Sequence, residues 1–179
     1  MLVLFVGFAD FGRIFANSIL IEAAARNAAE IAANEYVANP PGSLSAPATG
    51  GSGYYADLHL LAARAVCAET HKLPNSQYDT ATTDCPGMPL IKVCVHDGVD
   101  PDCGSEAFSA SVPGDCGEMT TAMPNSQGSS TERWVEVRVC YRFTSLIDVP
   151  LVSFGQFWLQ RTRSFVIPCY FVIGADPCG

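Results

Sequence analysis

The first 37 residues, MLVLFVGFADFGRIFANSILIEAAARNAAEIAANEYV, contain no proline and only two glycines. A run that long without a breaker has one regular solution, a single continuous helix. It stops at NPPG, where Pro40 and Pro41 cannot continue it. At ~1.5 Å per residue such a helix is roughly 55 Å long, far beyond the usual globular element. It therefore needs support from something outside itself. From Met1 to Ile21 it is mostly apolar, interrupted by Asp10, Arg13 and Asn17. That stretch approaches the ~20 residues a helix needs to cross hydrocarbon. From Glu22 it becomes alanine-rich, with Glu22, Arg26 and Glu30 four apart so that neighbouring charges can pair. The expectation is one helix carrying two solvents.

Composition points the same way. Charged residues are 16% of the chain, hydrophobic residues 49%, and the mean hydropathy is +0.20. Charge that sparse suits a chain that hides surface in a membrane or in neighbouring subunits. The net charge is −8, and residues 73–132 hold nine acidic residues against one base, Lys92. A segment that acidic repels phosphate backbones, so no nucleic acid partner is expected. The opening run has no basic leader and no small-residue cleavage site, and its periodicity continues to about residue 37, so it reads as part of the mature protein.

Eight cysteines, Cys67, Cys85, Cys94, Cys103, Cys116, Cys140, Cys169 and Cys178, all lie after residue 66. An even count in a loop-rich region reads as a disulfide framework in an oxidising compartment. Zinc would need close ligand pairs, and no Cys-x-x-Cys occurs. Eight cysteines allow 105 connectivities. Cys94 with Cys103 and Cys169 with Cys178 are the pairs that close short local loops.

Residues 39–53, rich in glycine, proline, serine and alanine, read as a linker. A second helix follows in YYADLHLLAARAVCAETHKL, with Leu58, Leu61, Ala62, Ala65 and Val66 at helical spacing. LIKVCVHDG is a short strand, and the segment after it reads as a long irregular excursion held by cysteines. RWVEVRVCYRF alternates, with Trp134, Glu136, Arg138 and Cys140 on one side and Val135, Val137, Val139 and Tyr141 on the other. GQFWLQRTRSFVIPCYFVIG supplies one or two further strands, bent near Pro168. The tetrapeptide PNSQ occurs twice without matching flanks, so it marks two turns. The expected fold is α+β: a helix over 1–38, a linker over 39–53, and a disulfide-stabilised head over 54–179 with a helix on an antiparallel sheet.

The stretch ADFGRIFANSILIEAAARNAAEIAA resembles the N-terminal helix of TadE-like pilins, small proteins of tight-adherence pilus systems. The family pattern is an apolar run, an acidic-aromatic-Gly-Arg step and an Asn- and Ala-rich helix. Here the step is Asp10-Phe11-Gly12-Arg13 and the AARNAAEIAA tract begins at Ala24. Residues 5–34 carry the resemblance, and VEVRVCYRFTSLIDVPLV is similar to the family's valine-rich strand and proline stretch. The family also has a glutamate near its processing site; position 5 here is Phe5.

The resemblance implies a pilus subunit, resident in the inner or cytoplasmic membrane before assembly and extracellular afterwards. Its partners would be further copies of itself in a helical filament and the pilus assembly machinery. Leu4, Phe5, Phe8, Phe11, Ile14, Phe15, Ile19, Ala23, Ala24, Ala28 and Ala32 are then the expected helix-packing residues. Asp10 and Arg13, three apart, can pair on one helix face, or Asp10 can meet a neighbour's terminal amine and set the stagger between subunits. A minor pilin that primes another fibre, or a membrane-anchored binding domain that never polymerises, are the alternatives.

Enzymatic signatures are missing. Asp10-Phe11-Gly12 lacks the rest of a kinase signature, and no nucleophile elbow, P-loop or dinucleotide fingerprint occurs. His59, His71 and His96 share no short spacing. Asp97, Asp100 and Asp102 are the residues a calcium ion would use, but they lack EF-hand spacing and read as a solvated acidic turn. No catalysis, cofactor or metal is expected. Tyr54, Tyr55 and Trp158 could face an adhesion target, with core packing the stronger expectation for most.

Overall fold

The computed structural model describes residues 2–40, 53–97, 101–104, 113–119, 133–145 and 156–167, with the backbone alone for 2–6, 114 and 118. Helix α1 spans Leu2–Ala38 and α2 spans Tyr54–Thr70. Four strands follow: β1 (Leu90–His96), β2 (Asp102–Gly104), β3 (Trp134–Thr144) and β4 (Gln156–Val166). A short 3-10 segment, Gly114–Met119, precedes β3. The strands form one antiparallel sheet in the order β2-β1-β3-β4. This is the α+β arrangement of two helices on one face of a sheet.

The long helix finds its support in its own chain. Ile21, Ala24, Ala25, Ala28, Ala29, Ala32, Ala33 and Tyr36 are buried in one core with Leu58, Ala62 and Val66 of α2 and Val93, Val135 and Val137 of the sheet. Alanine at these positions leaves no bulk between the helix backbone and its neighbours, so α1 lies close against α2, β3 and β4. Tyr36 reaches Asp97 at the end of β1, and Asp10 accepts a hydrogen bond from Ser145 just after β3. The helix therefore runs antiparallel to β3 for about 40 Å. The boundary read at residue 38 is the end of α1, but the alanine tract is part of the head's core. Gly53, at φ 87, opens α2 in a backbone conformation glycine adopts without strain.

Among the described residues no helix is long and apolar enough to cross a membrane. Asp10, Arg13 and Asn17 break the apolar run, and from Glu22 onward the helix carries charge on its outer side.

In α2 the buried positions are Leu58, His59, Ala62, Ala63, Val66, Cys67 and Thr70, while Leu61 faces solvent. The stripe is rotated slightly from the expected one. Both faces of β3 are buried, including the polar one bearing Glu136 and Arg138. Three disulfides join described residues: Cys67–Cys85, Cys94–Cys103 and Cys116–Cys140. The expected Cys94–Cys103 pair is present. Cys169 and Cys178, Asp100, residues 41–52 of the linker, the second PNSQ, the 146–151 proline stretch and the bend at Pro168 lie outside the described residues.

Candidate assembly surface and its polar frame

Helix α1 has two different apolar faces. One is the alanine seam just described. The other runs through Phe8, Phe11, Phe15 and Ile19, which are 74%, 69%, 63% and 52% exposed. Their steps of three, four and four residues put all four on one side of the helix. Four large apolar side chains in a contiguous exposed row exceed the scatter of single hydrophobes normal on a monomer. Ala23 is also exposed, beyond the end of that row, and gives way to Arg26, Glu30 and Asn34 on the water-facing side. The expected packing residues thus divide. Phe8, Phe11, Phe15, Ile19 and Ala23 face outward; Ala24, Ala28 and Ala32 are spent inside the chain, with Ile14 packed at the core's edge. Leu4 and Phe5 lie in α1, and their side chains are outside the described residues.

The aromatic half of α1 is tied to the head by polar contacts. Arg13 Nη1 donates to Asp10 Oδ1 at 3.0 Å, and its guanidinium lies 5.2 Å from the Phe143 ring centroid. Ser145 donates to the other Asp10 oxygen. Both carboxylate oxygens of Asp10 are therefore engaged inside their own chain, without a neighbouring subunit. One turn before the alanine tract, Arg161 donates to Ser18, and Arg163 donates to Glu22 with Arg161 3.7 Å away. The Arg163 hydrogen bond holds the Glu22 carboxyl below its ordinary range. Glu22 thus pairs across to β4 rather than along the helix to Arg26.

At the other end of α1 sits a phenol cluster. The hydroxyls of Tyr36 and Tyr55 both donate to Asp97 Oδ2, at 2.8 and 2.7 Å, and Arg133 donates to the Tyr36 oxygen at 3.4 Å. Tyr54 packs edge-on against both other rings. Burial first, then the Asp97 hydrogen bond, raises the Tyr36 pKa from 10.0 to about 12. Tyr54 and Tyr55 are raised as well, burial again the leading cause. Because the folded state favours the neutral phenol, its stabilisation is complete below pH 10 and is lost as pH rises through about 12. We expect tyrosinate absorbance at alkaline pH to rise together with loss of helical circular dichroism. Tyr36, Tyr54 and Tyr55 titrating near pH 10 in a fold that stays intact would contradict this coupling.

Asp97, once the first residue of a possible calcium turn, is occupied by these phenols. Asp102 pairs with His59 instead, Oδ1 standing 3.4 Å from Nε2. Among the described residues no group of three or more His, Cys, Asp or Glu is arranged to hold a metal ion. Tyr54 and Tyr55 pack on the core, and Trp158 packs beside Leu90, Met119 and the Cys116–Cys140 bridge.

Sequence reasoning missed a buried charge cluster on the sheet face away from the helices. In register, Lys92 faces Arg138, Cys94 faces Glu136 and His96 faces Trp134. Arg138 Nε donates to Glu136 Oε1 at 2.7 Å, and His96 Nε2 lies 3.5 Å from Glu136 Oε2. The His96 ring stacks on Trp134 at 4.5 Å. Burial, then the Arg138 charge, lowers the Lys92 pKa, with Glu136 opposing. The 3-10 segment is fastened over this face by Cys116–Cys140, by Lys92 Nζ donating to the Met119 carbonyl at 3.0 Å, and by Gln160 donating to the Asp115 carbonyl. The polar members of an alternating strand gave the only hint. No family model, curated protein or solved structure matches the chain.

Proposed function

We propose that this chain is the structural subunit of an extracellular filament of the TadE-like pilus kind, assembling with copies of itself through the N-terminal half of α1. The observation that carries the reading is the exposed row Phe8, Phe11, Phe15 and Ile19 on a helix whose opposite face is already built into the head. Disulfides suit an oxidising, extracellular setting. A repeated contact between that row and a different surface of the next copy generates an open helical fibre. Asp10 and Arg13 enter as the pair that fixes the aromatic half against Ser145 and Phe143, so the row projects at a set angle from the head.

Replacing Phe11 and Phe15 together with aspartate places two charges on the row without touching the core. We expect the variant to keep its circular dichroism and melting temperature and to lose assembly at concentrations where the parent forms fibres, as seen by sedimentation and negative-stain microscopy. Fibres from the double variant, or a parent that stays monomeric throughout, would overturn the proposal. Electron cryomicroscopy of filaments sheared from native cells then separates a major subunit, repeated along the fibre, from a minor one that primes another protein's fibre.

A further inference from the structure

Of the three disulfides between described residues, two are sealed. Cys67, Cys85, Cys116 and Cys140 are each 1% exposed or less. In the third, Cys94 is buried but Cys103 is an exposed residue of β2. That strand is the edge of the sheet and only three residues long. It pairs with β1 at Val93↔Gly104, Cys94↔Cys103 and Val95↔Asp102, so the disulfide joins directly opposed residues across the ladder. A polar contact that also ties β2 to the helices is His59 with Asp102, at 3.2 Å to the carbonyl and 3.4 Å to the carboxylate. Three paired residues supply few backbone hydrogen bonds, so the bridge carries much of what holds this edge strand.

We propose that Cys94–Cys103 is a redox-sensitive latch, opened by a dithiol reductant while the other two described bridges remain closed. The reductant's thiolate reaches the exposed side of the bond and attacks Cys103 Sγ. A mixed disulfide forms at Cys103, and Cys94 leaves as a thiolate that takes up a proton in its buried position. The reductant's second thiol then attacks the mixed disulfide, forming the reductant's own disulfide and releasing Cys103. Two electrons and two protons pass to the protein, and one disulfide is exchanged for another.

Among the described residues, opening the latch leaves β2 held by its three-residue ladder and its contacts with α2, His59 among them. When β2 lifts away, the outer edge of β1 at Val93–Val95 presents unpaired backbone donors and acceptors, as any uncovered strand edge does. The rest of the sheet has no reason to follow. β1 and β3 remain paired over seven positions, β3 and β4 over eleven, and both helices keep their seat on the valine face. The latch is thus a local switch at one sheet edge, distant in role from the aromatic row of α1.

The test uses the full, oxidised chain. It is exposed to limiting dithiothreitol, quenched with iodoacetamide at intervals and mapped by peptide mass spectrometry. Cys94 and Cys103 are expected to be alkylated at least about tenfold faster than Cys67, Cys85, Cys116 and Cys140, since exchange requires access to a sulfur. Hydrogen exchange on the partly reduced protein should show lost protection at residues 93–95 and 102–104, with residues 134–144 and 156–166 unchanged. Reduction of the three bridges at one rate, or another bridge opening first, would overturn the proposal. So would selective reduction that leaves protection at 93–95 intact. The double variant Cys94→Ala/Cys103→Ala gives a second reading, and must reproduce the same local loss of protection without reductant.

Discussion

Glu136→Gln is expected to lower the stability of the folded chain by about 3–5 kcal/mol, the cost of removing one member of a buried ion pair. The carboxylate is fully buried, accepts from Arg138 at 2.7 Å and lies 3.5 Å from His96. Glutamine keeps its shape but cancels its charge, leaving the Arg138 guanidinium and nearby Lys92 without a buried anion. For a chain of this size the loss corresponds to roughly 6–20 °C in melting temperature. Arg142→Ala, on the same strand but exposed, should shift stability by less than about 0.5 kcal/mol. Replacing Glu136 and Arg138 together with leucine should recover most of the loss, because desolvated charge disappears along with its partner. Thermal and urea unfolding of the three variants separate these outcomes. A single substitution costing under about 1 kcal/mol would mean that water reaches the cluster in solution.

Ala28→Leu should be nearly as damaging, for the opposite reason. Ala28 has no exposed surface and lies mid-way along the seam of six buried alanines that lets α1 sit close against α2 and the sheet. With Ala28 fully buried, three added carbons are expected to push α1 outward or force its neighbours out of their rotamers. Overpacking of this kind costs about 1–3 kcal/mol, and more where both neighbours are fixed by other contacts. The displacement would also strain the Glu22 pairing with Arg163 and the Tyr36 bond to Asp97, each about two turns away. Ala23→Leu, on the exposed side of the same helix, adds the same volume to water and should leave stability almost unchanged. The urea midpoint is the measurement. An Ala28 variant as stable as the parent would show that the seam is loosely filled.

Much of the fold was written in local pattern. A breaker-free run made α1, two prolines ended it, and alternating valines marked β3 together with the face it turns to the helices. Proximity of Cys94 and Cys103 in sequence indicated their bond. The short β2 escaped, because Asp102-Cys103-Gly104 is too brief to show any periodicity. The burial of Glu136 escaped for a different reason. A strand that alternates Val with Glu and Arg reads as half-wet, and it is non-local contacts, the Cys116–Cys140 bridge among them, that bring a cover onto its polar side. In α1 the period of 3.6 could say which residues share a face but not which face the chain would cover for itself. Alanines and phenylalanines both looked like material for neighbouring subunits. The structure spends the alanines within the molecule and leaves the phenylalanines outside. The contacts that Asp10 makes with Ser145 and Arg13 with Phe143 were not legible either, because their partners lie more than 120 residues away in the chain.

The antiparallel run of α1 against β3 also has a mechanical consequence. A pull along the helix axis loads the alanine seam in shear, so the contacts from Ile21 to Tyr36 resist together. A sideways pull at the aromatic end meets Asp10, Arg13, Ser18 and Glu22 in turn, and each can yield before the next is strained. Across the described residues, α1 should accordingly resist a pull along its axis more than one across its aromatic end.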